Sequence, residues 1–137
     1  LNVLALTELT HRCLPGMLKR GKGRIVNLGS VAAFQPVPYL AVYAATKAYV
    51  LSFTEGLSEE LKGTGVSCTA VCPGFTDTSM LRQHVGNDES VLHSLGAMNS
   101  FGRLVSPAEI ADMILWAHQH PVVNGSVMHG NLGQIEH

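Results

Sequence analysis

Two short β-rich segments on either side of a long helical pattern constrain the fold of this chain more than any other feature. The first is RIVNLGS at 24–30, and the second is VSCTAVCPG at 66–74, which ends near Pro73 because proline cannot donate a hydrogen bond to a sheet. Between them, residues 41–62 have helical periodicity and are followed by the breaker GTG. A strand, a helix and a strand at this spacing form a βαβ unit, so the two strands are predicted to be parallel.

The N-terminal segment predicts another helix. Residues 3–18 carry apolar side chains near helical spacing, and Pro15 with Gly16 predicts a kink or an early end there. The opening LNVLALTELT starts within this apolar pattern and has no helix cap. We therefore expect the chain to begin inside an element and to be a portion of a larger domain.

The C-terminal segment predicts one more helix and one more strand. SPAEIADMILWAHQ at 106–119 begins with a capping box, Ser106 and Glu109, and has Pro107 at the first helical position. GSVMHG at 125–130 then predicts a short final strand.

The long segment between the second strand and the last helix is predicted to be mostly irregular. Residues 75–104 have a mixed pattern in which Val91, Leu92, Leu95 and Met98 indicate one short amphipathic helix. Excursions of this length are often lids or binding loops, so residues 79–103 are predicted to be a substrate lid. The order α-β-α-β-lid-α-β predicts a doubly wound α/β fold with a parallel sheet. Three strands alone would leave one sheet edge bare, which again suggests missing upstream elements.

Composition narrows the classes of function. Hydrophobic residues make up 46% of the chain, charged residues 14%, and the formal net charge is −1, so a globular domain is expected and a nucleic-acid partner is not. No apolar run approaches the roughly 20 residues that span a bilayer. Cys68 and Cys72 would lie about 13 Å apart on a strand, too far for a disulfide, so a reducing cytoplasmic location is expected. The histidines lack metal-ligand spacing, so no metal site is predicted.

Tyr43 and Lys47 are the most informative polar pair. They lie four residues apart in the 41–62 helix, and Val50 and Thr54 continue their stripe. We expect both side chains on the buried side of this helix. The structural alternative is a core tyrosine beside a lysine that extends its charge to solvent.

Neighbouring residues favour a chemical role. Ser30 follows the end of the first strand, and Pro73 with Gly74 lies at the same end of the second, where parallel α/β sheets bind ligands. A phenol ionises near pH 10 and exchanges protons poorly at pH 7 unless its anion is stabilised, which an ammonium one helical turn away can do. Tyr43 could then exchange a proton with an alcohol or carbonyl oxygen that Ser30 also binds.

These residues together resemble a known family. YAATK fits the pattern Y-x-x-x-K, a serine lies thirteen residues before the tyrosine, and CPG follows the next strand. The chain thereby resembles the C-terminal, catalytic half of the short-chain dehydrogenase/reductase (SDR) family over essentially its whole length. The resemblance implies a Rossmann-like fold and an oxidoreductase that transfers a hydride between NAD or NADP and an alcohol or carbonyl substrate.

The resemblance also implies residue roles. Tyr43 would be the general acid/base, Lys47 would stabilise its phenolate and bind the nicotinamide ribose, and Ser30 would orient the substrate. Asn2 would hold a water in a proton relay through Lys47, unless it is simply a polar surface residue. A further set would contact the nicotinamide by backbone or hydroxyl groups: Pro73, Gly74, Phe75, Thr76 and Thr78. Thr78 fits the N-cap of a short helix equally well.

The family's glycine-rich dinucleotide turn has no counterpart here. We therefore expect a polypeptide limited to these residues neither to bind the dinucleotide tightly nor to turn over. The resemblance also implies that helices 3–18 and 41–62 pack against a second subunit in a homodimer or homotetramer. Two alternatives stay open, a catalytically inert fragment and an SDR-like sensor or interaction subunit. A serine hydrolase is disfavoured, because Leu28 and Ala32 stand where G-x-S-x-G requires glycines.

Overall fold

A computed structural model describes residues 2–133. Its helices and strands are α1 (Leu4–Arg20), β1 (Gly23–Leu28), α2 (Ala41–Glu60), β2 (Val66–Pro73), α3 (Ser79–His84), α4 (Glu89–Gly96), α5 (Pro107–Gln119) and β3 (Val127–Gly130). Two short 3-10 turns, Val31–Ala33 and Pro121–Val123, lie in connections. The predicted order of elements is confirmed. The segment predicted to be a lid contains one helix more than expected, and the connection between β1 and α2 contains the first 3-10 turn.

The three strands form one parallel sheet in the order β1-β2-β3. β1 pairs with β2 from Gly23 opposite Val66 to Leu28 opposite Val71. β2 in turn pairs with β3, which begins at Val127, two residues later than predicted. The predicted parallel βαβ unit is thus confirmed.

β2 is the centre of the molecule, and both of its faces are buried. Cys68, Ala70 and Cys72 point to one face and Thr69 and Val71 to the other, and none is more than 2% exposed. The first face packs against α2, where a core cluster includes Leu57, Leu61, Val66 and Cys68. On the second face, Gly130 of β3 approaches Ile110 and Met113 of α5. Helices on both faces of a parallel sheet are the predicted doubly wound arrangement.

A buried polar contact ties three elements of the first face together. The side-chain amide of Asn27 in β1 donates to Thr54 Oγ1 in α2 at 2.9 Å and to Cys68 Sγ in β2 at 3.7 Å. The Thr54 hydroxyl in turn donates a hydrogen bond to the Val50 carbonyl at 2.7 Å. Burial raises the pKa of the Cys68 thiol to about 11, so the thiol stays protonated. The contact satisfies polar groups that would be costly to bury alone.

α1 does not end at Pro15. It continues to Arg20 and stops at Gly21, whose φ of 61° places it in the left-handed region typical of a helix end. The predicted early end is therefore wrong. A proline removes one hydrogen bond from a helix, and the contacts of Leu14 and Met17 with the core cluster hold the flanking turns in place.

The segment after β2 contains two helices, α3 and α4, where one was predicted. The turn between them uses Gly86 and Asn87, both with positive φ, and the Asp88 carboxylate then caps α4 by accepting from the N–H groups of Ser90 and Val91. α4 corresponds to the short helix that was predicted. Within the described residues, no helix is long and apolar enough to cross a membrane.

Candidate active site

The candidate site lies at the carboxyl edge of the sheet. β1 ends at Leu28 and β2 at Pro73, and Gly74 donates its N–H to the Gly130 carbonyl at the end of β3 at 2.9 Å. Ser30 follows β1 at this same edge. Because parallel strands end together, the residues predicted from separate segments meet here.

Lys47 links α2 to this edge. Its ammonium donates to the Leu28 carbonyl at 2.9 Å and lies 5.8 Å from the centre of the Tyr43 ring, within the range of a cation–π contact. Leu28 is two residues before Ser30. The structure therefore gathers Ser30, Tyr43 and Lys47 around the end of β1.

The predicted burial of Tyr43 is wrong. Its side chain is 40% exposed, whereas Val50 and Thr54, farther along α2, are each 1% exposed. Lys47 reaches the end of β1, but one turn nearer the start of α2 the buried residue is Ala44, not Tyr43. The phenol is consequently open to solvent on one side.

Two opposing influences act on the pKa of Lys47. Burial lowers the pKa, because it penalises the charged ammonium, while an electrostatic interaction with Cys72 raises it. Burial is the larger influence, so the pKa lies below its ordinary value of 10.5. The Cys72 side chain is itself fully buried in β2.

Ser30 begins the 3-10 turn that follows β1. Its hydroxyl oxygen accepts a hydrogen bond from the Ala32 N–H at 3.2 Å, and its backbone is extended. This bond uses a lone pair of the oxygen, so the hydroxyl proton can still be donated to a ligand.

Asn2 contacts α2 through Thr46. Its side-chain amide donates to Thr46 Oγ1 at 3.2 Å, and that hydroxyl donates to the Tyr43 carbonyl at 2.8 Å. Asn2 is thus an exposed residue linked to the turn that carries Tyr43 and Lys47. Its role in a proton relay stays a prediction.

The segment from Pro73 to Thr78 is fixed by backbone contacts. Thr76 forms an isolated parallel bridge with Val105, whose N–H donates to the Phe75 carbonyl at 2.9 Å and whose carbonyl accepts from Asp77 at 2.8 Å. Thr78 caps α3, accepting from the Leu81 N–H at 3.1 Å. The N-cap alternative is therefore what the structure shows for Thr78, and its contact with a nicotinamide stays a prediction.

Three features near the site were not predicted. Arg82 in α3 binds the Asp77 carboxylate through two hydrogen bonds of 2.6 and 2.9 Å and the Glu89 carboxylate at 2.9 Å. The His129 and Phe34 rings stack with their centres 4.9 Å apart. An apolar groove of about 540 Å³ begins two residues after Ser30, between loop residues 32–38 and the alanines of α2. The Arg82 ion pairs and the stacked rings join segments that are distant in sequence or separated by a turn, so no local sequence pattern predicts them.

No metal centre is found in the described part of the chain. Residues 2–133 contain no group of three or more His, Cys, Asp or Glu side chains that could hold a metal ion.

Comparisons with known proteins give a consistent result. The family model described as short chain dehydrogenase matches residues 1–89. Over 134 residues the chain is 35% identical to 3-oxoacyl-acyl-carrier-protein reductase FabG of Vibrio cholerae, covering 96% of this chain and 54% of that protein. Over 121 residues it is 37% identical to 2-keto-3-deoxy-L-fuconate dehydrogenase of Xanthomonas campestris, covering 85% of this chain and 40% of that protein.

A solved structure agrees over nearly the whole chain. A variant of actinorhodin polyketide ketoreductase with NADPH matches with a TM-score of 0.87 and 33% sequence identity, covering 98% of this chain and 57% of that protein. The chain spans about half the length of the relatives it matches.

Proposed function

The chain belongs to the short-chain dehydrogenase family, and from this premise we propose that its protein is an oxidoreductase that transfers a hydride between NAD or NADP and an alcohol or carbonyl carbon. The observation that carries the proposal is the placement of Lys47. Its ammonium donates to the carbonyl of Leu28, which is two residues before Ser30, and lies beside the Tyr43 ring. The NADPH named for the matched ketoreductase structure supports the choice of cofactor.

The side chains at the sheet edge fit the groups of a nicotinamide riboside. Lys47 uses one of its three N–H donors on Leu28, which leaves donors for ribose hydroxyls. The backbone from Pro73 to Thr76 and the Thr78 hydroxyl would face the carboxamide. When bound, the dinucleotide supplies or accepts the hydride.

Side chains of this chain would transfer the proton to or from the substrate oxygen. Tyr43 would exchange a proton with the substrate oxygen, because the nearby Lys47 ammonium stabilises the phenolate. Ser30 would donate a hydrogen bond from its hydroxyl to the same oxygen and hold that oxygen in place. Asn2 would take part in the relay that returns the proton through Lys47.

Two further segments complete the proposal. Residues 79–103 would form a lid over the substrate, and the apolar groove beside Ser30 would accept an apolar part of it. The protein would act as a homodimer or homotetramer, since Leu4 on α1 and Val42 on α2 are 77% and 80% exposed and would be covered by a second copy.

The test is Tyr43→Phe in the natural protein that contains this chain. We expect the redox rate, followed by the absorbance of NADH or NADPH with a panel of carbonyl substrates, to fall by about 10²- to 10⁴-fold. Dinucleotide affinity should change little. Tyr39→Phe is the matched control, because it removes the same hydroxyl from a fully exposed tyrosine four residues away.

Two results would contradict the proposal. A Tyr43→Phe variant with an unchanged rate would show that the phenol is not the acid/base group. A wild-type protein that binds the dinucleotide and turns over none of the substrates would favour the sensor or interaction subunit.

A further inference from the structure

We propose that Cys72 is a positioning residue of this site, whose thiol fits the space left by the absent side chain of Gly29 and thereby fixes the backbone that presents Ser30 and holds Lys47. The inference rests on the proposed function, since it concerns the placement of the same acid–base groups. It assigns a role to a cysteine for which the sequence alone indicated only a place on a strand.

The fit between the two residues is close. Gly29 continues the register of β1 with β2, donating its N–H to the Val71 carbonyl at 2.8 Å, so it lies beside Cys72. A Cβ atom at Gly29 would lie 2.6 Å from Cys72 Sγ, far inside van der Waals contact. Its other near neighbours, the Val71 carbonyl and Cys72 Cα, would be 3.5 and 3.9 Å away, at ordinary contact distance. Of these three neighbours, only the sulfur would have to shift to admit a methyl group at position 29.

Both residues are buried, which gives this contact little room to adjust. Gly29 is buried, and Cys72 has no exposed surface in the centre of the sheet. Close-packed interiors respond to a change of one methyl group by shifting backbone or side chains. A shift here would move the strand end and the turn after it.

The two functional groups at stake directly flank Gly29. The residue before it, Leu28, supplies the carbonyl that binds the Lys47 ammonium at 2.9 Å. The residue after it, Ser30, supplies the hydroxyl at the start of the 3-10 turn. Cys72 is also close enough to Lys47 to interact with it electrostatically. One contact therefore sets the positions of a serine and a lysine that come from different elements.

The experiment is a double-substitution cycle in the natural protein that contains this chain, with kcat and its pH dependence as readouts. We expect Gly29→Ala to lower kcat roughly 10- to 100-fold, as small misplacements of catalytic groups do. Cys72→Ala should cost less, because it leaves a space and creates no clash. The combination Gly29→Ala with Cys72→Ala should recover most of the activity that Gly29→Ala lost, and return the pH profile toward that of the wild type.

Matched controls separate this effect from the substitutions themselves. Gly56→Ala adds the same methyl group to α2 at a position where it meets nothing within 4 Å, and Cys13→Ala removes an exposed thiol. Both should leave kcat and the pH profile unchanged. A double variant that folds like the wild type and is as slow as Gly29→Ala would overturn the proposal, as would a fully active Gly29→Ala.

If Gly29→Ala does not fold, substitutions of Cys72 test the same contact. Cys72→Ser keeps the size of the side chain and should retain most of kcat, whereas Cys72→Val enlarges it and should lower kcat. Equal kcat values for these two variants would refute the fit. The proposed function fails separately, through an unchanged rate in Tyr43→Phe. In that case the cycle measured by thermal unfolding still decides whether Gly29 and Cys72 are coupled.

Discussion

Lys47 contributes to the proposed site, but the burial of its ammonium lowers the stability of the folded state. Burial lowers its pKa, which means that folding works against the charge on its ammonium. A solvated lysine would have no such cost and would also be too far from the strand end to bind the Leu28 carbonyl. The position is therefore better explained by the proposed acid–base role than by stability.

We expect Lys47→Met to lower the redox rate at least about tenfold without lowering stability at neutral pH. The native lysine has the lower pKa, so the unfolded chain binds more protons between that pKa and 10.5, and the wild-type protein gains stability as the pH rises through this window. Lys47→Met should lack this gain. Urea unfolding at about pH 7 and pH 10 measures the stability of both proteins at each pH. The absorbance of NADH or NADPH measures the redox rate.

Lys62→Met is the control for this prediction, because it removes an exposed lysine paired with Glu59. It should leave the redox rate unchanged. The interpretation of Lys47 would be wrong if Lys47→Met were clearly less stable than the wild type at pH 7.

At the scale of elements, Arg82 connects α3 and α4 of the proposed lid to Asp77, which follows β2. Its guanidinium joins Asp77, just before α3, to Glu89 in the first turn of α4. These three side chains border a cavity of about 400 Å³ with Leu92 and His93. Since the Asp77 N–H also donates to the Val105 carbonyl, these bonds hold α3 and α4 close to residues 73–78, which are proposed to contact the nicotinamide.

We expect Arg82→Met to loosen the lid more than the molecule as a whole. Hydrogen exchange in α3 and α4 should become faster, while the thermal midpoint changes little, because exposed ion pairs add little to global stability. Arg12→Met, which removes an exposed pair with Glu8 in α1, is the control and should leave exchange in the lid unchanged. Equal exchange rates in wild type and Arg82→Met would contradict the tie.

The same tie should weaken in acid. The hydrogen bond from Arg82 lowers the pKa of Asp77 below its ordinary 3.8, so the contact is present above that value and is lost as the pH falls through the lowered pKa. Lid exchange in the wild type should approach that of Arg82→Met only at strongly acidic pH.

The limits of prediction from sequence follow from what each feature depends on. The capping box of Ser106 and Glu109 is local, and both of its hydrogen bonds are present. The contacts of Asn27 with Thr54 and of Gly29 with Cys72 depend on strand register and helix rotation, so no single segment encodes them. Tyr43 and Lys47 were placed on one face by helical spacing, but the spacing could not reveal that Ala44, and not Tyr43, is the buried residue of that turn.

At the scale of the whole molecule, α1 and α2 present apolar surface beside each other. The helices are joined by the hydrogen bond between Thr7 Oγ1 and the Tyr49 hydroxyl at 2.8 Å, and Leu4 on α1 and Val42 on α2 are exposed. Exposed apolar surface of this kind often marks an interface between subunits. A second copy that covers it would bury the flank of the helix that carries the proposed acid–base pair.

We expect Leu4→Glu combined with Val42→Glu to reduce the assembly to monomers, because a buried charge at the interface is costly. Light scattering on the purified natural protein measures the mass directly. Met98→Glu, a comparable change at an exposed residue of the lid, should leave the mass unchanged. An unaltered oligomer in the double variant, or a monomeric wild type, would exclude this interface.

The bond between Lys47 and Leu28 has an evolutionary consequence. The acceptor is a main-chain carbonyl, which every amino acid carries, so no point mutation at position 28 can delete it. The leucine side chain there is 47% exposed and takes no part in this bond. Selection on this contact therefore acts on the lysine side chain and on the path of the strand. Any sequence that keeps the strand in place also keeps the acceptor of the hydrogen bond.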